Sequence, residues 1–286
     1  MLVTGAHGTI DDRPFAAFRQ TIVACLDLAV TICPIRTLNE LRSPLLGVSP
    51  PQLDWLVVGG VDGASRPGDG DLAPNDSDLA MVRDSWISRQ PDVEGLLRHA
   101  FQTARSRPRK RLTVVTGTYP LNHGLAMWRE TAERVAQGYP DVVVDYAPIA
   151  ALGGRMTHHP QTIDTIATPS LYSHVLSAWA AALAGPPGVF AAASLNLKGR
   201  TPALFEPLDS SARGTGIGAA RCPVGAFWAC AMLLNHLGER DAAALVMRAI
   251  ESLSGDLAAR FPHPGGQDLL EAATDFVVSA IRQQAA

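Results

Sequence analysis

Apolar residues fall into two rhythms along this chain, and they alternate. Leu53-Asp54-Trp55-Leu56-Val57-Val58 is apolar at nearly every position and stops at Gly59-Gly60, the form of a strand buried on both faces. Arg111 to Val115, Val142 to Val144 and Ile163 to Thr168 are further short apolar runs read as strands, and Met1 to Val3 is a strand end that meets Gly5 and Gly8. Between them the spacing changes to that of a helix. Val93, Leu96, Leu97, Ala100 and Phe101 line one face over Val93 to Ala104, and Phe18 to Leu28, Ala126 to Gln137 and Ser173 to Leu183 carry the same period. Gly138 and Pro140 close the third of these, and Gly185-Pro186-Pro187 the fourth. Three helices are expected beyond: a very apolar one from Pro223 to Leu237, an amphipathic one from Asp241 to Leu253, and a last one from Gln267 to Gln284. Strands alternating with helices predict an α/β fold with helices layered on a mainly parallel sheet. The Gly/Pro/Asp-rich stretch from Gly63 to Asp78 breaks this pattern and reads as an exposed loop or arm.

Composition narrows the picture. With 286 residues, 47% of them hydrophobic and 18% charged, the chain is long enough for one large domain or two medium ones, and it is not disordered. A net charge of -3 gives no electrostatic reason to expect nucleic acid or an anionic membrane as a partner. The basic run from Arg105 to Arg111 reads as a solvated turn before a strand. Cys25, Cys33, Cys222 and Cys230 lack the spacing of a zinc site and read as buried free thiols, which suits a reducing cytoplasm. No apolar run is long enough to span a membrane and the start lacks a signal-peptide layout, so a cytoplasmic location is expected.

Five stretches carry a resemblance. They are Ala100-Phe101-Gln102-Thr103-Ala104-Arg105, Gly138-Tyr139-Pro140-Asp141-Val142, Ile163-Asp164-Thr165-Ile166-Ala167-Thr168, Leu171-Tyr172-Ser173-His174-Val175-Leu176-Ser177, and Phe205-Glu206-Pro207-Leu208-Asp209-Ser210-Ser211-Ala212. In order and spacing they resemble the β-decarboxylating dehydrogenases, the family of isopropylmalate, isocitrate and tartrate dehydrogenases. The intervals Pro140 to Pro160, Pro160 to Ala178 and Phe205 to Pro223 fit that family without a gap, and weaker similarity reaches back to Leu28. The resemblance implies an isopropylmalate-dehydrogenase-like, two-lobed α/β/α sandwich. One lobe would take residues 1–28 and 185–286, the other residues 29–184. Family members open with a glycine-rich strand-loop-helix unit ahead of the point where Met1 falls, so the first lobe is expected to be truncated.

The family oxidises a 2-hydroxy acid with a nicotinamide cofactor and a divalent metal, then releases CO2. By resemblance, the two aspartates of its N-[LMF]-F-G-D-x-x-S-D stretch fall on His174 and Ala178. The aspartate lent by a neighbouring subunit falls on Ala150. The lysine of K-A-N-V falls on Gly117 or Thr118, the arginine of N-L-R-P on Cys33 with its upstream partner near Val23, and the arginine of V-R-E on Gly59. The tyrosine a few residues on falls in the Gly63-to-Arg66 loop. Neither metal charge nor substrate charge keeps a counter-charge there, so the ordinary reaction is expected to be absent.

The cofactor stretch keeps Glu206, Pro207, Ser211 and Ala212, while Asp209 replaces its histidine and Cys222 its asparagine. Glu206, Asp209, Ser211, Gly214 and Gly216 are the candidates for residual dinucleotide contact, with NAD the possible cofactor. A rebuilt site would draw on His174, Tyr119, Asp145 and Arg155, and a new metal site on His158, His159 and His174, although those two adjacent histidines also read as an exposed turn. The resemblance implies a homodimer or a heterodimer with a full-length relative, with Leu171, Leu176 and Trp179 at the interface. The expected function is that of a non-catalytic structural, regulatory or ligand-binding relative. The alternative is a divergent oxidoreductase or lyase acting on a small 2-hydroxy or carboxylic acid.

Overall fold

A computed structural model describes residues 2–3, 13–38, 43–45, 53–61, 71–73, 81–83, 88–117, 123–185, 188–208, 223–260 and 267–285. In chain order its elements are β1 (Leu2–Val3), α1 (Arg13–Cys25), β2 (Val30–Arg36), β3 (Asp54–Gly60), β4 (Asp71–Ala73), β5 (Met81–Arg83), α2 (Gln90–Ser106), β6 (Arg111–Thr116) and α3 (His123–Ala136). There follow β7 (Val143–Pro148), α4 (Ile149–His158), β8 (Thr165–Thr168), α5 (Ser170–Ala184), β9 (Ala191–Leu195), β10 (Leu204–Pro207), α6 (Val224–His236), α7 (Arg240–Arg260) and α8 (Gln267–Ala285). The mixed α/β fold expected from the alternating rhythms is present.

One sheet of eight strands runs in the order β1-β10-β9-β2-β3-β8-β6-β7. The expected parallel pairing holds from β3 through β8 and β6 to β7. Between β10 and β3 neighbours run antiparallel instead. β2 escaped the sequence reading because it contains Pro34, which has no N–H to donate to a ladder. The strand tolerates it because β9 pairs only as far as Ile32, leaving β3 as the partner beyond that point. β9 is a run of three alanines, a poor strand signal, and α4 carries Gly153 and Gly154, a poor helix signal. The stretch read as an arm contains β4, which pairs antiparallel with β5.

Side chains alternate across the sheet as a pleated strand requires. Leu56, Val58, Val114 and Ala167 enter one cluster, where α2 supplies Leu97, Ala100 and Phe101 and α3 supplies Trp128 and Ala132. Trp55, Val57, Val115 and Ile166 enter the other, with Leu176 and Ala180 of α5, Trp228 of α6, Ile250 of α7 and Val277 of α8. The indole N–H groups are satisfied, Trp55 donating to the Pro160 carbonyl at 2.9 Å and Trp128 to the Val115 carbonyl at 2.9 Å. Val23 of α1 packs with Leu28, Val61 and Leu204 in a small third cluster, whereas Phe18 of the same helix is exposed.

The basic run corrects the sequence reading. Only part of it is solvated: the Arg107 side chain is 17% exposed and its Nε donates to Asp164 Oδ1 at 2.6 Å. The Asp164 side chain is wholly buried, and it also receives the Arg111 amide at 3.3 Å and lies 3.4 Å from Arg109. Arg107 further contacts the Asp54 carboxylate at 2.9 Å and its carbonyl at 3.0 Å. Burial lowers the Arg107 pKa, but hydrogen bonds and charge from Asp164 and Asp54 outweigh that and hold it above the ordinary value. These groups join the starts of β3, β6 and β8, the end of the sheet opposite the candidate site.

Candidate functional site

In a parallel α/β sheet, ligands meet the carboxyl ends of the strands, where loops and helix starts converge. Here those ends are Gly59-Gly60 of β3, Thr116-Gly117 of β6, Pro148 of β7 and Thr168 of β8, with α4 and α5 starting directly from the last two.

The meeting of α5 with β3 is very close. A Cβ placed on Gly59 would lie 2.1 Å from Ser173 Oγ, 2.7 Å from Ser173 Cβ and 2.9 Å from Thr168 Cγ2. One placed on Gly60 would lie 2.6 Å from Ser170 Cβ and 3.1 Å from both its Cα and its N. Glycine at both positions lets the helix seat on the strand at backbone distance. At Gly117 an added Cβ would meet Leu125 Cδ1 at 2.3 Å, the end of a flexible side chain.

Cys33 of β2 is buried and its thiol hydrogen-bonds Ser177 of α5. Desolvation pushes the thiol pKa up to about 12, so it stays protonated and unreactive at neutral pH. Cys25 is exposed and Cys230 half-buried, which corrects the expectation of uniformly buried thiols; all three are free.

Val23, near which the sequence reading placed an arginine, is an aliphatic core residue at 1% exposure. The arginine that reaches this region is Arg19, one helical turn earlier on α1. It engages Glu206 with two nitrogens, Nε at 2.9 and 3.1 Å from the two carboxylate oxygens and a terminal nitrogen at 2.6 Å. The pair acts on Cys33 through its charges. The signal that could have found Arg19 was its i, i+4 relation to Val23 on a helical period. Beside them Thr31 and Ser194 share a hydrogen bond at 3.2 Å, tying β2 to β9.

The rebuilt-site candidates divide. Asp145 and Arg155 come together in an ion pair, and Asp145 also accepts from Thr113 Oγ1 at 2.8 Å. His174 lies on the exposed face of α5, with Ala178 half-buried one turn further on. His158 ends α4 and His159 follows it, both exposed; they sit at a helix terminus rather than in a plain loop. Among the described residues, no group of three or more His, Cys, Asp or Glu side chains is placed to hold a metal ion. Tyr119, Asp209, Ser211, Gly214 and Gly216 lie outside the described residues, as do Thr118 and Cys222. Away from this end, His99 of α2 has a buried Nε2 with no hydrogen-bond partner, and desolvation lowers its pKa. No described helix is long and apolar enough to cross a membrane.

Comparison with known proteins accords with this architecture. The isocitrate/isopropylmalate dehydrogenase family matches residues 67–263. A protein of Agrobacterium vitis named probable tartrate dehydrogenase/decarboxylase TtuC' is 36% identical over 278 residues, covering 97% of this chain and 77% of its own length. A 3-isopropylmalate dehydrogenase of Corynebacterium glutamicum is 33% identical over 236 residues, covering 82% of this chain and 67% of its own. The crystal structure of an isocitrate dehydrogenase from Methylococcus capsulatus superposes with a TM-score of 0.81 at 23% identity, over 98% of this chain and 82% of that one. The chain belongs to the isocitrate/isopropylmalate dehydrogenase family.

Proposed function

We propose that this chain is a non-catalytic member of its family, keeping the fold and giving up the metal-dependent oxidation of 2-hydroxy acids that the family resemblance implies. The observation that carries the reading is Gly59. The family's substrate-binding arginine falls there by resemblance, and an added Cβ alone would collide with Ser173. The other positions agree. A divalent ion held by anionic oxygen does not fit an exposed imidazole at His174, a methyl at Ala178 and another at Ala150. Cys33 offers a protonated thiol where an arginine would meet a carboxylate. Glu206, the one cofactor-contact candidate among the described residues, is already paired with Arg19.

The test is turnover. NADH formation from isopropylmalate, isocitrate, malate or tartrate with Mg2+ or Mn2+ is expected to stay at background. Loss of a positioned acid/base alone removes about 10²–10⁴-fold in rate. Metal-dependent turnover abolished by His174→Ala would overturn the proposal and favour the alternative, a divergent NAD-type oxidoreductase or lyase with a rebuilt site.

The remaining role is assembly. Leu171, Val175 and Trp179 of α5 are 45%, 56% and 38% exposed and share one face, and α5 carries no Asp, Glu, Lys or Arg. Ala150, Ala151 and Gly154 of α4 are exposed as well. Leu176, expected on this surface, is instead wholly buried in the chain's own core. An apolar face on α5 beside small exposed residues of α4 suits an isologous contact with a second copy, or with a full-length relative bearing the same helices. Sedimentation at micromolar concentration is expected to give a dimer and Val175→Glu a monomer. A stable monomer of the unmodified chain, alone and mixed with a relative, counts against this assembly. The free thiols Cys25 and Cys230 suit a reducing, cytoplasmic setting.

A further inference from the structure

We infer that Gly59 and Ser173 are a reciprocal pair: side-chain volume has moved from strand to helix, so that Ser173 now fills the arginine's place and walls the carboxyl end of β3 against a carboxylate. The inference rests on the proposed reading of Gly59 as the position of the family's V-R-E arginine. Counting back one residue from His174 in N-[LMF]-F-G-D-x-x-S-D places the motif's glycine on Ser173. The family pattern therefore sets a long side chain on β3 opposite a glycine on α5. This chain sets a glycine on β3 opposite a serine on α5.

Geometry supports coupling of the two changes over two independent losses. Real Cβ atoms do not approach other heavy atoms within 3.0 Å, and a Cβ on Gly59 would have three neighbours inside that limit. Two of the three belong to Ser173. Because Ser173 Cβ is among them, rotating the hydroxyl does not clear the space. The third, on Thr168, belongs to a residue that is itself wholly buried, and Ser173 is only 5% exposed. The helix has little freedom to retreat, since Gly60 sits against the backbone of Ser170 one turn away. Restoring a side chain at 59 therefore requires removing the one at 173. What the wall now presents is a neutral hydroxyl and a buried methyl, which give no counter-charge to the second carboxylate of a dicarboxylic hydroxy acid.

A stability cycle tests the coupling. Gly59→Ala is expected to lower the thermal midpoint by roughly 5 °C through overpacking, and Ser173→Gly in that background to recover most of the loss. Ser173→Gly in the unmodified chain is expected to give no such gain. Losses that simply add overturn the pairing. A second arm reads the ligand. Gly59→Arg combined with Ser173→Gly is expected to gain a malate-dependent rise in midpoint that the unmodified chain lacks. An equal rise in the unmodified chain, or none in a folded double variant, overturns the claim that this wall excludes the carboxylate. Should the arginine variant not fold, the alanine cycle decides. Turnover by the unmodified chain would instead sink the proposed function, and neither arm measures it.

Discussion

Replacing Arg107 by alanine is expected to lower the unfolding free energy by about 3–5 kcal/mol, the range for breaking a buried ion pair by removing one partner. The cost arises from what remains. Asp164 has no solvent access, and among the described residues its side chain would keep, without Arg107, the Arg111 amide at 3.3 Å and Arg109 at 3.4 Å. Leu56 also donates its amide to the Asp164 carbonyl at 2.9 Å, so disturbance at this residue passes directly into β3. Arg98→Ala serves as the control. Its pair with Glu94 is nearly as short at 2.7 Å, but the arginine is 58% exposed, and such i, i+4 pairs are worth about 0.3–0.5 kcal/mol. Urea unfolding of both variants checks the contrast, and equal effects would show that burial of Asp164 contributes nothing.

Trp55→Ala is expected to cost about 3–5 kcal/mol by opening a cavity in the larger cluster. The indole is wholly buried, and its N–H satisfies the Pro160 carbonyl in the turn that leads into β8. Trp55→Phe keeps most of the packing and loses the hydrogen bond, a deficit of about 1–3 kcal/mol if the carbonyl stays buried and unpaired. A midpoint shift at unchanged slope in urea is the expected signature. A phenylalanine variant as unstable as the alanine one would mean that the hydrogen bond, not the filled volume, secures this position.

Much of the fold could be read from the chain because its period is strong where burial is strong. Leu53 to Val58 announces a strand covered on both faces, and Val93 to Phe101 a helix covered on one, since in each the number of packed layers dictates the spacing. β2, β9 and α4 went unread for the opposite reason. Pro34, the alanines of β9 and the glycines of α4 have poor intrinsic propensity, and tertiary packing overrides it there. The site was legible as a set of positions and illegible as geometry. The resemblance located Gly59 and Cys33, but that Gly59 faces Ser173, or that Cys33 bonds Ser177, depends on how α5 seats on the sheet. Arg107 shows the same limit for charge: a run of basic residues does not reveal that one of them meets a buried aspartate 57 positions away.

The pairing of β2 with β9 bears on how the chain is made. Val30 lies beside Leu195 in the sheet, and Arg36 meets Glu251, 215 residues further along. The cluster that buries Cys33 and Ile35 also needs Ile250, Ala273 and Val277. By contrast α2, β6, α3, β7, α4, β8 and α5 are consecutive, and their contacts can form as they leave the ribosome. β3 can join β8 and α5 at that stage, whereas β2 waits on its other edge for β9, and the face that holds Cys33 and Ile35 stays partly uncovered until α7 and α8 have been made. Closing so long a loop is slow, and the open apolar edge is exposed to other nascent chains in the meantime. Yield in the cell is thus expected to depend on chaperone supply more than the stability of the finished fold would suggest.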